Sequence, residues 1–263
     1  MATADRREAF LEVSGVKVHV LEGGAGPPML YLHGAGSPAL WNEWHDAVSA
    51  EHRLIAPSHP GFGDSDRPDW LLGIDDMVFF YLEFLDHLKI DRVRLVGSSV
   101  GGWIAAELAA VDPRRVEALV LACAAGLYSP ELPMADMFFT APAELRQLLY
   151  YDPSVIPVPE MTHDLMRRQY KGQVTMARIA WSPYLHNPKL ARRLARIDAP
   201  TLIVWGDSDR LIPPGYAELF RSRIRSSRVS IIERCGHNIL VERPKEFASV
   251  VTGFLQGKRR GDR

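Results

Sequence analysis

Apolar runs and their spacing divide the chain into alternating strand and helix patterns. Phe10-Leu11-Glu12-Val13 and Val16-Lys17-Val18-His19-Val20-Leu21 alternate in character around Ser14-Gly15. That alternation predicts an antiparallel hairpin at a sheet edge. Met29-Leu30-Tyr31-Leu32 is continuously apolar, the pattern of a strand covered on both faces. Similar short runs recur at Arg53–Pro57, Val93–Val96, Val116–Cys123, Thr201–Trp205 and Arg228–Ile232. Helix patterns lie between them. One spans Pro38–Ala50, and a second, Ile74–Lys89, has an apolar face (Met77, Val78, Tyr81, Leu82, Leu85, Leu88) and Asp75 and Asp76 in its first turn. An alanine-rich helix over Ile104–Ala110 is closed by Asp112-Pro113, and two more helices cover Pro213–Arg223 and Arg243–Gln256. Strand and helix in alternation predict an α/β fold: a mostly parallel sheet wrapped by helices, preceded by the hairpin.

The rhythm breaks between about Leu127 and Arg196. Six prolines fall between Pro130 and Pro159, and five of the eight methionines lie here with Phe138, Phe139, Tyr150, Tyr151, Tyr170, Trp181 and Tyr184. Only short helix patterns are visible (Ala143–Leu149, Met161–Gln169, Lys189–Ile197), with no strand pattern. We therefore expect residues 1–126 and 197–263 to form one α/β core and residues 127–196 to be a helical insertion.

Composition narrows the classes. The chain has 263 residues, 47% hydrophobic and 24% charged, with a formal net charge of −1. Such a balance fits a globular protein and offers no electrostatic footprint for nucleic acid or an anionic membrane. No apolar run approaches the ~20 residues that span a bilayer. The first residues lack an apolar signal region, so a cytoplasmic location is expected. Cys123 and Cys235 have no metal-ligand spacing and read as free buried thiols. The tail Lys258–Arg263 reads as a frayed, charged end.

Candidate chemistry centres on Gly97-Ser98-Ser99-Val100-Gly101-Gly102, between a strand pattern and a helix pattern. In such a sharp turn strand and helix come close, so the residues two before and two after the serine must be small. Gly97 and Gly101 meet that demand. The helix start would aim free N–H groups at whatever Ser99 attacks. On this pattern alone, a Gly-rich turn with a capping serine is the alternative. A serine hydroxyl is a poor nucleophile without an imidazole to take its proton and a carboxylate to orient that imidazole. Two later strand-end loops carry such groups: Gly206-Asp207-Ser208-Asp209-Arg210 and Glu233-Arg234-Cys235-Gly236-His237-Asn238.

With His33-Gly34 and Pro60-Gly61-Phe62-Gly63-Asp64-Ser65, these motifs resemble the α/β-hydrolase superfamily. The branch is that of small serine esterases, lactonases and meta-cleavage-product (carbon–carbon bond) hydrolases. The resemblance runs from about Phe10 to Leu255. It implies the α/β-hydrolase fold, with about eight strands and a helical cap, and the chain order Ser…Asp…His. It assigns Ser99 as nucleophile, His237 as base and Asp209 as acid, the fourth residue of Gly-x-x-Asp, with Asp207 as the alternative. It places the oxyanion hole at the backbone N–H groups of Val100 and Ala35. Substrate contacts are expected from His33, Gly34, Ser98, Trp103, Phe138, Trp181 and Asn238, although His33 also fits a structural role and Trp103 a core position. Members that open epoxides or displace halide carry Asp at the elbow, so Ser99 points to acyl transfer. The leading expectation is a carboxylesterase-type hydrolase of a small, largely apolar ester, thioester or lactone. The alternative is carbon–carbon hydrolysis of a vinylogous diketone. Arg234-Cys235-Gly236-His237 looks like that group, but Asn238 stands where its members usually carry Trp and Ser98 where they often carry Asn. A ligand receptor and a cofactor-free perhydrolase are further alternatives on the same fold. A small-molecule substrate is expected, with no cofactor, metal, nucleic acid or membrane partner; monomer and homodimer both stay open.

Overall fold

The structure, a computed structural model, describes residues 6–36 and 41–257. Eight strands form one sheet: β1 Arg6–Val13, β2 Val16–Gly23, β3 Pro28–Leu32, β4 Arg53–Pro57, β5 Val93–Ser98, β6 Val116–Ala122, β7 Thr201–Gly206 and β8 Ser227–Ile232. Their order is β1-β2-β4-β3-β5-β6-β7-β8. β2 runs antiparallel to both β1 and β4, and all other neighbours are parallel. The expected edge hairpin is therefore present, and its first strand begins earlier than alternation suggested. Arg6 to Glu8 are exposed and polar on both faces, so they carry no period-two signal. By contrast every residue of β7 is buried, as its continuous apolar run requires.

Nine helices are formed by the described residues: α1 Glu43–Ser49, α2 Ile74–His87, α3 Val100–Val111, α4 Pro142–Leu149, α5 His163–Ala180, α6 Leu190–Arg193, α7 Gly215–Arg221, α8 Ile239–Glu242 and α9 Pro244–Leu255. α1 is capped by Asn42, whose side chain accepts from Trp44 N; the earlier start expected at Pro38 lies outside the described residues, as does the tail Lys258–Arg263. α3 is buried along almost its whole length, and its small alanines let it lie against the sheet under α2. α5 runs far beyond the helix expected over Met161–Gln169. Gly172 and the polar residues around it mask the period, while Thr175, Met176, Ile179 and Ala180 supply the buried face that holds the helix. No helix of the described residues is long and apolar enough to cross a membrane.

Register decides what the fold can do. Leu32 pairs with Gly97, Ser98 with Ala122, Val204 with Ala122, and Gly206 with Ile232. The C-terminal ends of the parallel strands thus lie side by side, and the loops after β3, β5, β6, β7 and β8 leave from one edge. In open α/β sheets that edge is where ligands bind. Between β6 and β7 the chain forms helices and turns (α4 to α6), joined to the sheet edge by Gly126 N–H donating to Leu185 O at 2.9 Å.

Candidate active site

Ser99 follows β5 directly and caps α3, with φ 55° and ψ −120°. Positive φ costs a non-glycine residue about 1–3 kcal/mol and persists only where its surroundings dictate it. Here they do. Ser99 N–H donates to Ala122 O at 2.9 Å, and Ser99 O accepts from Trp103 N and Ala125 N, each at 3.1 Å. A Cβ on Gly97 would sit 2.3 Å from Gly101 O, and one on Gly101 would sit 2.1 Å from Leu32 O. Both glycines are therefore required by contact. Cys123 (φ 44°) and Arg234 (φ 48°), in the loops after β6 and β8, are also at positive φ, so strained backbone gathers at this edge.

The three loops bring together side chains far apart in sequence. His237 Nε2 lies 3.0 Å from Ser99 Oγ, and His237 Nδ1 lies 2.8 Å from Asp209 Oδ2. Asp209 Oδ1 accepts from Leu211 N and Ile212 N, each at 2.9 Å. Asp209 and His237 are buried and Ser99 is half-buried. A carboxylate accepts from Nδ1–H and leaves the Nε2 lone pair facing the serine. This arrangement can draw the hydroxyl proton away as Oγ attacks a carbonyl. Val100 N–H stands at the first turn of α3, where it has no partner within the helix. Opposite it, Gly34 comes so near that a Cβ there would lie 3.1 Å from Ser99 Cβ. Val100 thus follows the serine directly in the chain, and Gly34 packs against it from the loop after β3.

Asp207, the alternative acid, faces elsewhere. Its carboxylate accepts from Arg234 N at 3.0 Å, Cys235 N at 3.2 Å and Ser208 Oγ at 2.8 Å. It ties the β7 loop to the β8 loop and so supports the His237 turn from behind. Glu242 does the same from α8: Oε2 accepts from Gly236 N at 2.6 Å and Oε1 from Tyr151 N at 2.8 Å. Neither tie has a sequence signal, because each forms only when the loops meet. The Cys123 thiol lies beside the acid. Among the described residues Cys123, Asp209 and His237 form the one group with metal-ligand spacing, with donor atoms within 4.8 Å of one another. Burial and then the Asp209 charge push the thiol well above its usual range. The thiol faces the Asp209 carboxylate. Both cysteines are free and buried, as expected.

The remaining candidates divide. The His33 ring is buried and turned away into a hydrogen-bonded pair with His59. Ser98 is buried at the end of β5. Trp103 is buried in the core against the position of Gly126, as its helical spacing allowed. Phe138 and Trp181 meet edge to face at 5.3 Å between β6 and β7, with Trp181 partly exposed. Asn238 is half-buried and caps α8, and its N–H donates to Leu149 O at 3.1 Å. The segment between β6 and β7 reaches the site edge again at α5, where Gly172 faces Phe62 and the carbonyl of Ala35.

Residues 29–250 match the Alpha/beta hydrolase family. The chain belongs to that family. It is 30% identical to 2-hydroxymuconate semialdehyde hydrolase of Pseudomonas sp. (strain CF600), across 92% of this chain and 91% of that one. It is 29% identical to 2-hydroxy-6-oxo-2,4-heptadienoate hydrolase of Pseudomonas putida, across 92% and 93% of the two chains. Among solved structures, a bacterial membrane phospholipase A superposes with a TM-score of 0.78 at 28% identity, covering 96% of this chain and 86% of that one. The fold shared with these relatives is the α/β-hydrolase fold, and the coarse activity they support is hydrolysis.

Proposed function

We propose that this α/β hydrolase cleaves the carbon–carbon bond of a small 2-hydroxy-6-oxo-dienoate through an acyl group on Ser99. What carries the reading is similarity along nine-tenths of the chain to two hydrolases whose names specify such substrates, with the Asp209–His237–Ser99 chain in place. Ser99 Oγ attacks the 6-oxo carbonyl while its proton passes to His237 Nε2. The N–H groups of Val100 and Ala35 hold the oxyanion; losing one such donor costs about 10²–10³ in turnover. The carbon–carbon bond then breaks. Cleavage follows transfer of the substrate's 2-hydroxyl proton to C5, so the electron pair of the C5–C6 bond delocalises through the 3,4 double bond into the 2-oxo group, and the resulting dienolate takes the proton from His237. Water, deprotonated by His237, releases the acyl group as a carboxylic acid beside a hydroxydienoate, with one water consumed. In this reading the segment between β6 and β7 roofs the site. The placement of Gly172 beside Ala35 and of Leu149 beside Gly236 supports that role.

Ester hydrolysis uses the same acyl step and is the second reading. Asn238 and Ser98 favour it, because they depart from the carbon–carbon group, and so does the likeness to a phospholipase. A panel pairing a dienol diketone with p-nitrophenyl esters and lactones separates the two. We expect bleaching of the dienol with kcat/KM at least tenfold above any ester. Ester turnover with an unbleached dienol would replace the first reading by the second. Ser99→Ala should abolish both turnover and fluorophosphonate labelling. A folded wild-type protein that takes no label would point to a ligand receptor.

A further inference from the structure

Two buried histidines join the loop after β3 to the loop after β4. His59 N–H donates to His33 Nε2 at 2.9 Å, and His59 Nε2 lies 2.8 Å from His33 O. His33 Nδ1 lies 2.6 Å from Gly34 O, and His59 Nδ1 is hydrogen-bonded to the Tyr81 hydroxyl of α2. The rings face each other with centroids 3.9 Å apart and planes tilted by 35°, and Phe62 packs edge-on against both.

The partners assign the protons. A backbone N–H only donates, so His33 Nε2 is a lone pair and its proton is on Nδ1, which donates to Gly34 O. A carbonyl only accepts, so His59 carries its proton on Nε2 and leaves Nδ1 to accept from Tyr81. Every donor meets an acceptor with both rings neutral. Burial acts in the same direction, holding the pKa of His33 at about 4 and that of His59 well below its usual value. The consequence lies one bond further on. In a trans peptide C=O and N–H point in opposite directions. Gly34 O held toward the His33 ring therefore points Ala35 N–H the opposite way, away from that ring. Gly34 is also where the loop meets Ser99.

We propose that His59, held by Tyr81, is a positioning residue that orients the Gly34-Ala35 peptide as an oxyanion donor. Neither side chain contacts the reacting atoms; they act through His33. The proposal rests on the reading of Ser99 as an acyl-accepting nucleophile, whichever bond is cleaved.

The test compares His59→Leu, His59→Gln and Tyr81→Phe, with kcat expressed per Ser99 site titrated by fluorophosphonate. A misplacement of about 1 Å can cost about 10²-fold, and the contact matters most in the transition state. His59→Leu should lose about 10²-fold in kcat per titrated site with KM little changed. His59→Gln, whose amide N–H can reach the same carbonyl, should recover part of the loss. Tyr81→Phe frees His59 to change tautomer and should fall between. A purely structural role would lower the melting temperature and the number of titratable sites but leave kcat per site unchanged, and that result overturns the proposal. Should His59→Leu not fold, ¹⁵N spectra of the wild-type rings decide. Protons on His33 Nδ1 and His59 Nε2 are expected, and the opposite tautomer at either ring overturns the relay. Failure of the underlying reading looks different. Wild-type protein would then neither take the probe nor turn over substrate, while the ring tautomers stay as assigned, and the oxyanion role would fall with it.

Discussion

Both carboxylate oxygens of Asp209 are committed, and that makes its substitution by asparagine informative. Oδ1 accepts two backbone N–H groups from Leu211 and Ile212, and Oδ2 accepts from His237 Nδ1. An amide has one acceptor oxygen, and the paired backbone donors claim it. Its NH₂ must then face Nδ1, which reverses the imidazole tautomer and leaves Nε2–H donating to Ser99 instead of receiving its proton. Asp209→Asn should fold normally and lower kcat by about 10⁴-fold. A loss of less than tenfold would move the acid to another residue. At this scale the sequence was partly readable. The family resemblance favoured Asp209 over Asp207, and the geometry places Asp209 against His237 while Asp207 binds the backbone of Arg234 and Cys235. His59, Tyr81, Cys123 and Glu242 were not readable. A lone buried polar residue has no periodicity, and its partners come from other strand ends.

The elements meet at the His237 turn, where helix α8 and the end of α4 are linked by one side chain. Glu242 accepts from Gly236 N in the loop after β8 and from Tyr151 N in the segment between β6 and β7. Both bonds are charge-assisted, and losing them leaves two backbone donors to find water. Glu242→Ala should lower stability by about 1–3 kcal/mol and reduce kcat as the histidine turn loosens. Glu242→Gln keeps one acceptor and should lie between. Urea unfolding read beside kcat checks this; unchanged stability with intact activity in the alanine variant refutes the link. Element existence in the core was legible because buried parallel strands write continuous apolar runs. The segment between β6 and β7 was less so. α5 extends to Ala180 because its buried residues pack on the loop after β4, where Thr175 Oγ1 donates to Gly61 O at 2.9 Å and Lys171 Nζ to Ser65 O at 2.7 Å. Those contacts fix the helix through tertiary packing, which a local period does not encode.

Across the whole molecule, the sheet order places the site and the burial of its histidines sets an acid limit. Alternation and right-handed crossovers imply a mostly parallel sheet, and the structure sets its order as β1-β2-β4-β3-β5-β6-β7-β8. Which polar groups the packing would bury does not follow, and this chain buries several. Desolvation lowers His33 to about 4 and His45 to about 3, and lowers His59 well below its usual value. His52 is lowered by burial too, with the Arg94 charge opposing its protonation further. In the unfolded chain each would titrate near pH 6.5. Between pH 6.5 and about 4 the unfolded state therefore binds protons that the native state refuses, so stability must fall as pH falls. Each such histidine contributes a slope of up to about 1.4 kcal/mol per pH unit once pH is well below 6.5. Carboxylates whose pKa is lowered, such as Glu22 between Arg7 and Arg53, add loss in the same direction at lower pH. The urea midpoint should accordingly be flat above pH 7 and drop steeply from pH 6 to pH 5, with a linkage slope of more than one proton. His45 offers a second such ring, since it packs on Tyr31 and Trp44 and accepts from Asn42 N at the start of α1. His45→Gln should cost stability at pH 7, where the native ring is lost, yet flatten the slope below pH 6 by up to one proton. A midpoint that stays level from pH 7 to pH 5 in the wild-type protein would show that these rings are protonated in the native state.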